Sequence, residues 1–189
     1  MLPPHRMHTV IGEKIVYEGK FLKFMAATYR NASGRLREWE FIERINCQGI
    51  VAIVPFTNAK EVLLIRQFRP PVKRYVIEFP AGLNDKGETL EDAARRELLE
   101  ETGYHARDLV LLTEGPLSSG ASGEILSVYL AQDLEFRGTA EKDDAEDIEV
   151  IQIPIDELPD QLSRFRAQGN YVDLKILGLF ELAKEKMRL

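Results

Sequence analysis

Apolar and polar residues alternate over three stretches near the start of the chain, 9–17, 19–29 and 35–44, with Asn31-Ala32-Ser33-Gly34 between the last two. Alternation with period two, broken by a Ser-Gly turn, predicts antiparallel strands joined by a hairpin. The pattern then changes. Gly49-Ile50-Val51-Ala52-Ile53-Val54-Pro55-Phe56 is apolar almost throughout, as is 61–68 after Asn58-Ala59-Lys60, and both read as strands buried on two faces. Pro70-Pro71 stops the second, and a strand over 75–79 leads into Pro80-Ala81-Gly82. Strands at 109–114 and 125–130 flank a Gly- and Ser-rich loop over 116–123. An acidic loop over 140–147 is followed by a strand at 148–153 and by helical patterns at 156–168 and 172–187. The sum is an α/β chain with layers around a largely mixed sheet, without internal repeats.

One segment breaks the rule that a helix buries its apolar side. Over 90–102, at roughly 100° per residue, Glu97 and Glu101 project with Leu90, Ala93, Ala94 and Leu98, and Glu100 lies at the edge of that face. Thr89 with Asp92 predicts the N-cap, and Gly103 predicts a left-handed C-terminal residue. Glu91, Asp92 and Arg95 already supply a solvated side. Glu97, Glu100 and Glu101 stand at i, i+3 and i+4, so their carboxylates can converge. Crowded, half-buried carboxylates repel unless a cation holds them. Arg96 can neutralise one of them, Glu100 one turn on, and the others call for a divalent ion. Oxygen donors suit Mg²⁺, or Mn²⁺, better than Zn²⁺. A metal held by a few carboxylates keeps open positions for phosphate oxygens, which suggests attack of water on a phosphoryl group.

Composition narrows the partners. The 189 residues are 44% hydrophobic and 30% charged, with a net charge of −6. That balance predicts a globular protein and argues against a nucleic-acid or anionic-membrane footprint. A single cysteine, Cys47, excludes an intrachain disulfide and suits a reducing compartment. The first residues lack the apolar core of a signal peptide, and no apolar run nears the roughly 20 residues needed to cross a bilayer, so a cytoplasmic address is expected. His5, His8 and His105 have no metal-ligand spacing.

The acids also fall into a known pattern. Gly82, then five residues, Glu88, seven residues, Arg96-Glu97-Leu98, one residue, Glu100-Glu101, one residue and Gly103 resembles the complete Nudix box; only its last position, usually aliphatic, differs in type as Tyr104. Arg37-Glu38-Trp39-Glu40, Gln67-Phe68-Arg69-Pro70-Pro71 and Ile77-Glu78-Phe79-Pro80-Ala81-Gly82 are similar to the ADP-ribose and ADP-sugar pyrophosphatase branch of the Nudix hydrolases. The resemblance spans about 18–155. It implies an α/β/α Nudix sandwich with a mixed sheet over 49–189. It also implies a small N-terminal antiparallel strand subdomain over 1–48, which serves base binding and is exchanged across a homodimer.

The resemblance implies roles residue by residue. Glu97, Glu100 and Glu101, with the Ala81 carbonyl, would ligate Mg²⁺; Glu88 would brace the turn into the helix, and Arg96 would orient a metal-binding glutamate. Arg69 would contact the diphosphate. Trp39 would stack on the base and Glu40 bond its edge, whereas by alternation alone Trp39 reads as a core residue. Phe21 would supply a second stacking wall, and Leu83 and Glu124 further substrate contacts. The general base would come from the acidic loop, with Glu146 aligning best and Asp144 and Glu124 in reserve. Where the branch commonly carries Ser-Pro-Gly, this chain has Ser118-Ser119-Gly120, so the sugar side of the substrate is less defined than the base. The expected activity is hydrolysis of a nucleoside diphosphate sugar to a nucleoside monophosphate and a sugar phosphate. The alternatives are other diphosphates, such as coenzyme A, dinucleotide polyphosphates or oxidised nucleotides, and a non-catalytic ADP-ribose sensor.

Overall fold

The structure is a computed structural model that describes residues 8–138 and 147–188. It falls into two compact units. The first comprises the described residues of Met1–Cys47 with Gly115–Ile125, and the second those of Gln48–Glu114 with Leu126–Leu189.

In the first unit, strands β1 (Thr9–Glu18), β2 (Leu22–Arg30) and β3 (Leu36–Arg44) form an antiparallel sheet with β2 in the centre. The β2–β3 turn is closed by the Asn31 side chain, whose Oδ1 accepts from the Ser33 amide and hydroxyl and from the Arg35 amide, while Gly34 adopts φ 84°. A short acceptor that replaces missing strand bonds, followed by a residue able to turn left, is what makes this tetrapeptide a hairpin. Only the central strand is well covered, at Met25, Ala26 and Ala27, and β1 is exposed at all ten positions. The segment Gly115–Ile125 is fastened to β3, where the Ile42 amide donates to the Ala121 carbonyl at 2.9 Å.

The second unit holds two four-stranded sheets, each of mixed strand direction as the pattern predicts. One has β7 (Ala81–Leu83), β4 (Ile50–Pro55), β9 (Ile125–Phe136) and β8 (Tyr104–Pro116) in that order, with β4 parallel to β9 and antiparallel to β7. The other runs β10 (Ile148–Pro154), β5 (Glu61–Arg69), β6 (Arg74–Glu78), β11 (Tyr171–Val172), with only β11 and β6 parallel. Apolar runs such as β4 and β5 need cover on both faces, and two sheets sharing a core with helices supply it. Helix α1 (Leu90–Thr102) places Ala93, Ala94 and Leu98 against Val51 and Ile53 of β4, Leu63 of β5 and Tyr129 of β9.

The C-terminal helices are shorter than their pattern. A 3-10 turn, Ile155–Glu157, precedes α2 (Leu158–Ala167), and α3 starts only at Lys175 and runs to Met187. Residues 171 and 172 are drawn into β11 by parallel pairing with Val76 and Ile77, and the Asp173 amide donates to the Ile77 carbonyl, so the helix cannot begin earlier. The stacked rings of Phe56 and Phe180, 5.8 Å apart, pack α3 against the residue that follows β4. Among the described residues no helix is long and apolar enough to cross a membrane.

Candidate active site

The two ends of α1 are fixed by the residues that the sequence offers. Thr89 Oγ1 accepts from the Asp92 amide at 3.1 Å, and Gly103, at φ 78°, donates its amide to Leu99 O. With both ends set, the phase of the helix is set, and the acids go where the period sends them. Glu101 is buried, 6% exposed, and its Oε2 accepts from the Ala81 amide at 3.0 Å. Glu97 is turned toward β7, so close to Gly82 that a Cβ on that residue would overlap its carboxylate.

Arg96 is the hub of the acids. Its Nε and Nη2 donate to Glu88 Oε1 at 2.9 and 2.7 Å, its Nη1 donates to Glu97 Oε1 at 2.6 Å and Glu100 Oε2 at 2.9 Å, and its Nη2 also reaches the Leu83 carbonyl at 3.0 Å. The sequence led to a single partner, Glu100; the planar fork takes three carboxylates because its five donors diverge in one plane. Burial works against the guanidinium charge, but Glu88, Glu97 and Glu100 together outweigh it and hold the Arg96 pKa above its ordinary value. Burial lifts the Glu97 pKa above the ordinary carboxylate value, against the opposing pull of Arg96. Lys86, whose ammonium lies 3.6 Å from Glu100, adds a further cation from the loop.

Among the described residues no three His, Cys, Asp or Glu side chains are gathered as a metal-binding group, since the Arg96 guanidinium stands between Glu97 and Glu100. The donor set nevertheless fits a hard divalent cation. Glu97, Glu100 and Glu101 lie on adjoining turns of one rigid helix, all donors are oxygen, and Glu101 stands beside the Ala81 amide while Glu88, Glu97 and Glu100 share Arg96.

The loop before α1 matches the Nudix pattern only in length, but its chemistry is clear in the structure. Buried Asn84 donates its Nδ2 to the Glu88 carbonyl at 2.8 Å and exchanges main-chain bonds with Gln48 and Gly49, pinning the loop beneath the Arg96 contacts. Asn84 was missed in the sequence, where a loop asparagine is an ordinary turn residue.

Arg69, at the end of β5, donates its Nε to Glu78 Oε1 at 2.7 Å. Glu78 was also missed; its signal was an acid inside the apolar strand Val76-Ile77-Glu78-Phe79. Burial raises its pKa above the ordinary carboxylate value, opposed by Arg69.

Trp39, Glu40, Phe21 and Glu124 belong to the first unit. Trp39 is 52% exposed, so the reading of it as a core residue is wrong; alternation tells which residues share a face, not whether that face is covered. Its indole Nε1 donates to the Gly120 carbonyl at 3.1 Å. Glu40, next along β3, is exposed, as is Phe21, with the Lys20 ammonium 4.9 Å from its ring centroid. Glu124 accepts from Arg44 Nε at 2.7 Å with its side chain largely covered, a strap between β3 and the loop that ends at Ile125. Glu146 and Asp144 lie outside the described residues.

A family model described as NUDIX domain matches residues 48–172. The chain is 33% identical over 183 residues to an ADP-sugar pyrophosphatase of Mus musculus, covering 89% of this chain and 84% of that protein. It is 32% identical to an ADP-ribose pyrophosphatase of Bacillus subtilis over 78% of each. A crystal structure of an ADP compounds hydrolase superposes with a TM-score of 0.76 at 25% identity, covering 96% of this chain and 94% of the other.

Proposed function

The chain belongs to the NUDIX domain family, and from that premise we propose that it hydrolyses the pyrophosphate bond of ADP-ribose or another nucleoside diphosphate sugar, giving a nucleoside monophosphate and a sugar phosphate. The observation that carries this reading is the Arg96-centred set of Glu88, Glu97 and Glu100 with buried Glu101 beside Ala81. Such hydrolases need a divalent metal, and Mg²⁺ is proposed here, with Mn²⁺ as a substitute, held by Glu97, Glu100, Glu101 and the Ala81 carbonyl. Bound there, the ion supplies Lewis-acid stabilisation of the charged diphosphate and activates water.

The protein's own groups do the rest. Arg96 holds Glu97 and Glu100 through hydrogen bonds from one nitrogen and aims their carboxylates, so that little reorganisation is left for the moment of reaction. Arg69 offers a planar fork to diphosphate oxygens. Glu146 takes the proton of the attacking water; Glu124 is not proposed for that task, since its carboxylate is committed to Arg44. Replacing Glu146 by Gln is expected to lower kcat roughly a hundredfold with KM little changed, as for loss of a general base; steady-state kinetics with unaltered turnover would move the role elsewhere.

Trp39 stacks on the adenine ring and Glu40 bonds its edge, with Phe21 and Leu83 as flanking contacts. The half-exposed indole, its N–H already tied to Gly120, supports that role, since it holds a flat face ready. Trp39→Ala is expected to raise KM for ADP-ribose roughly tenfold or more, in line with the stacking energy of one base, while kcat changes little. An unchanged KM would remove Trp39 from the substrate site.

A homodimer through the N-terminal strands is part of the same proposal. Val10, Ile11, Ile15, Val16 and Tyr17 of the edge strand β1 are each at least half exposed, an apolar strand that a second chain would cover. Light scattering should give the mass of two 21.6 kDa chains. The activity itself is tested by incubating the protein and Mg²⁺ with ADP-ribose, ADP-glucose and GDP-mannose and identifying the products. Turnover of one or more to monophosphate and sugar phosphate is the expected result, and turnover of none would refute the reading.

A further inference from the structure

Two arginines leave opposite faces of β5, and they are held in different ways. The β5–β6 register sets Ile65 opposite Glu78, Gln67 opposite Val76 and Arg69 opposite Arg74, so Arg69 and Glu78 start from one face. Arg66, on the other face, is held on three sides: its guanidinium lies 3.8 Å from the Tyr75 ring centroid, Nε donates to Asn170 and Nη1 to Glu149. Those contacts tie β5 to β6, to β10 and to the residues before β11, and they are architecture. Arg69 is anchored by Nε alone, and among the described residues its Nη1 and Nη2 make no hydrogen bond.

The anchor is unequally placed. The Glu78 side chain is 13% exposed and that of Arg69 39%, so the acid sits below and the guanidinium above it. A carboxylate on Nε leaves the end-on fork, Nη1 with Nη2, pointing away from the anchor, and that fork is the geometry that meets two phosphate oxygens. Glu78 also stands three residues before Ala81, whose amide is bonded to Glu101, so one short segment connects the arginine to the acids of α1.

We propose that Glu78 is the positioning residue of Arg69, clamping the guanidinium through Nε so that its terminal fork is oriented before the diphosphate of the substrate arrives. This rests on the reading of Arg69 as a diphosphate contact. An arginine ordered in advance loses less rotamer freedom on binding, which amounts to roughly three- to tenfold in affinity for one long side chain.

The experiment compares Arg69→Ala, Glu78→Gln, Glu78→Ala and the double variant Arg69→Ala/Glu78→Ala with ADP-ribose and Mg²⁺, with melting temperature measured for each. Arg69→Ala is expected to lose roughly a hundredfold or more in kcat/KM, as for removal of one charge-stabilising donor. Glu78→Ala is expected to raise KM roughly three- to tenfold and Glu78→Gln, which keeps the acceptor, by less. The double variant should be no worse than Arg69→Ala. Nitrogen-15 relaxation at Arg69 Nε, in the protein without substrate, should report an ordered side chain that becomes mobile in Glu78→Ala, a change that mere loss of stability would not produce. If Arg69→Ala is impaired but both Glu78 variants keep the parent KM and an ordered Nε, the positioning role is overturned and the reading of Arg69 stands. If the Glu78 loss is as large in the Arg69→Ala background, Glu78 acts independently of the arginine. If Arg69→Ala turns over normally, the diphosphate contact fails and the positioning role fails with it.

Discussion

Glu101→Gln is expected to lower kcat on the order of a thousandfold and to leave the melting temperature within a few degrees of the parent. The side chain is buried, and its Oε2 accepts from the Ala81 amide, a bond that the amide oxygen of glutamine reproduces. The packing of α1 against Val51 and Ile53 rests on Ala93, Ala94 and Leu98, and glutamine keeps the shape of residue 101. What the substitution removes is one negative charge from the place where a divalent cation would be held. A single misplaced or missing electrostatic partner costs roughly 10²–10³ in turnover when it acts on charge that develops in the transition state. Loss of a proposed metal ligand should lie at the upper end or beyond. Glu100, more open to solvent and shared between Arg96 and Lys86, should tolerate the same change better. Raising Mg²⁺ should recover part of the activity in Glu100→Gln and little in Glu101→Gln. Initial rates across a Mg²⁺ titration, with thermal melts alongside, would decide it: near-parental kcat in Glu101→Gln would remove this carboxylate from the metal site.

That residue could be picked out from sequence because everything that fixes its direction is local. Thr89 and Gly103 set the ends of the helix, the 3.6-residue period sets the rest, and an acid placed among Ala93, Ala94 and Leu98 must be buried. The same locality made the β2–β3 hairpin and the run of β4 legible. Pairings distant in sequence were not. Arg69 with Glu78, Arg44 with Glu124, and the Trp39 indole with Gly120 depend on registers and connections that no period encodes. Strands β7 and β11, three and two residues long, exist because a neighbouring strand offers hydrogen bonds, and so left no pattern of their own.

Trp39 shows the same limit from the other side. In β3 it falls in register with Ala27 of β2, a buried position in the centre of the sheet, so alternation marks it as inward. The sheet of the first unit has only three strands, and its cover is confined to the middle strand. An aromatic residue on an outer strand is left in the open, where its ring can serve a ligand. Burial is a property of layers, and the chain around residue 39 carries no record of which layer is missing.

Gly82→Ala is expected to reduce kcat as severely as loss of Glu101, on the order of 10³-fold, while the protein still folds. Residue 82 pairs with Val51 in the β4–β7 ladder, and its φ needs no glycine, so the backbone accepts alanine. The obstacle is the Glu97 carboxylate, which fills the space that a Cβ would take. Those atoms are the far end of a flexible side chain, so the clash is relieved by turning Glu97 away rather than by unfolding the strand. Turning it away breaks the 2.6 Å bond to Arg96 Nη1, and Arg96 is the group that also orders Glu88 and Glu100. One methyl group therefore displaces a proposed metal ligand and loosens the guanidinium that aims the others; a misplacement of about 1 Å alone can cost a hundredfold. A melting temperature near that of the parent with turnover all but lost is the predicted signature. Gly82→Ala/Glu97→Ala, in which the clash is gone, should melt like Glu97→Ala alone and be no more active. Parental activity in Gly82→Ala would mean that Glu97 need not stand where this structure puts it.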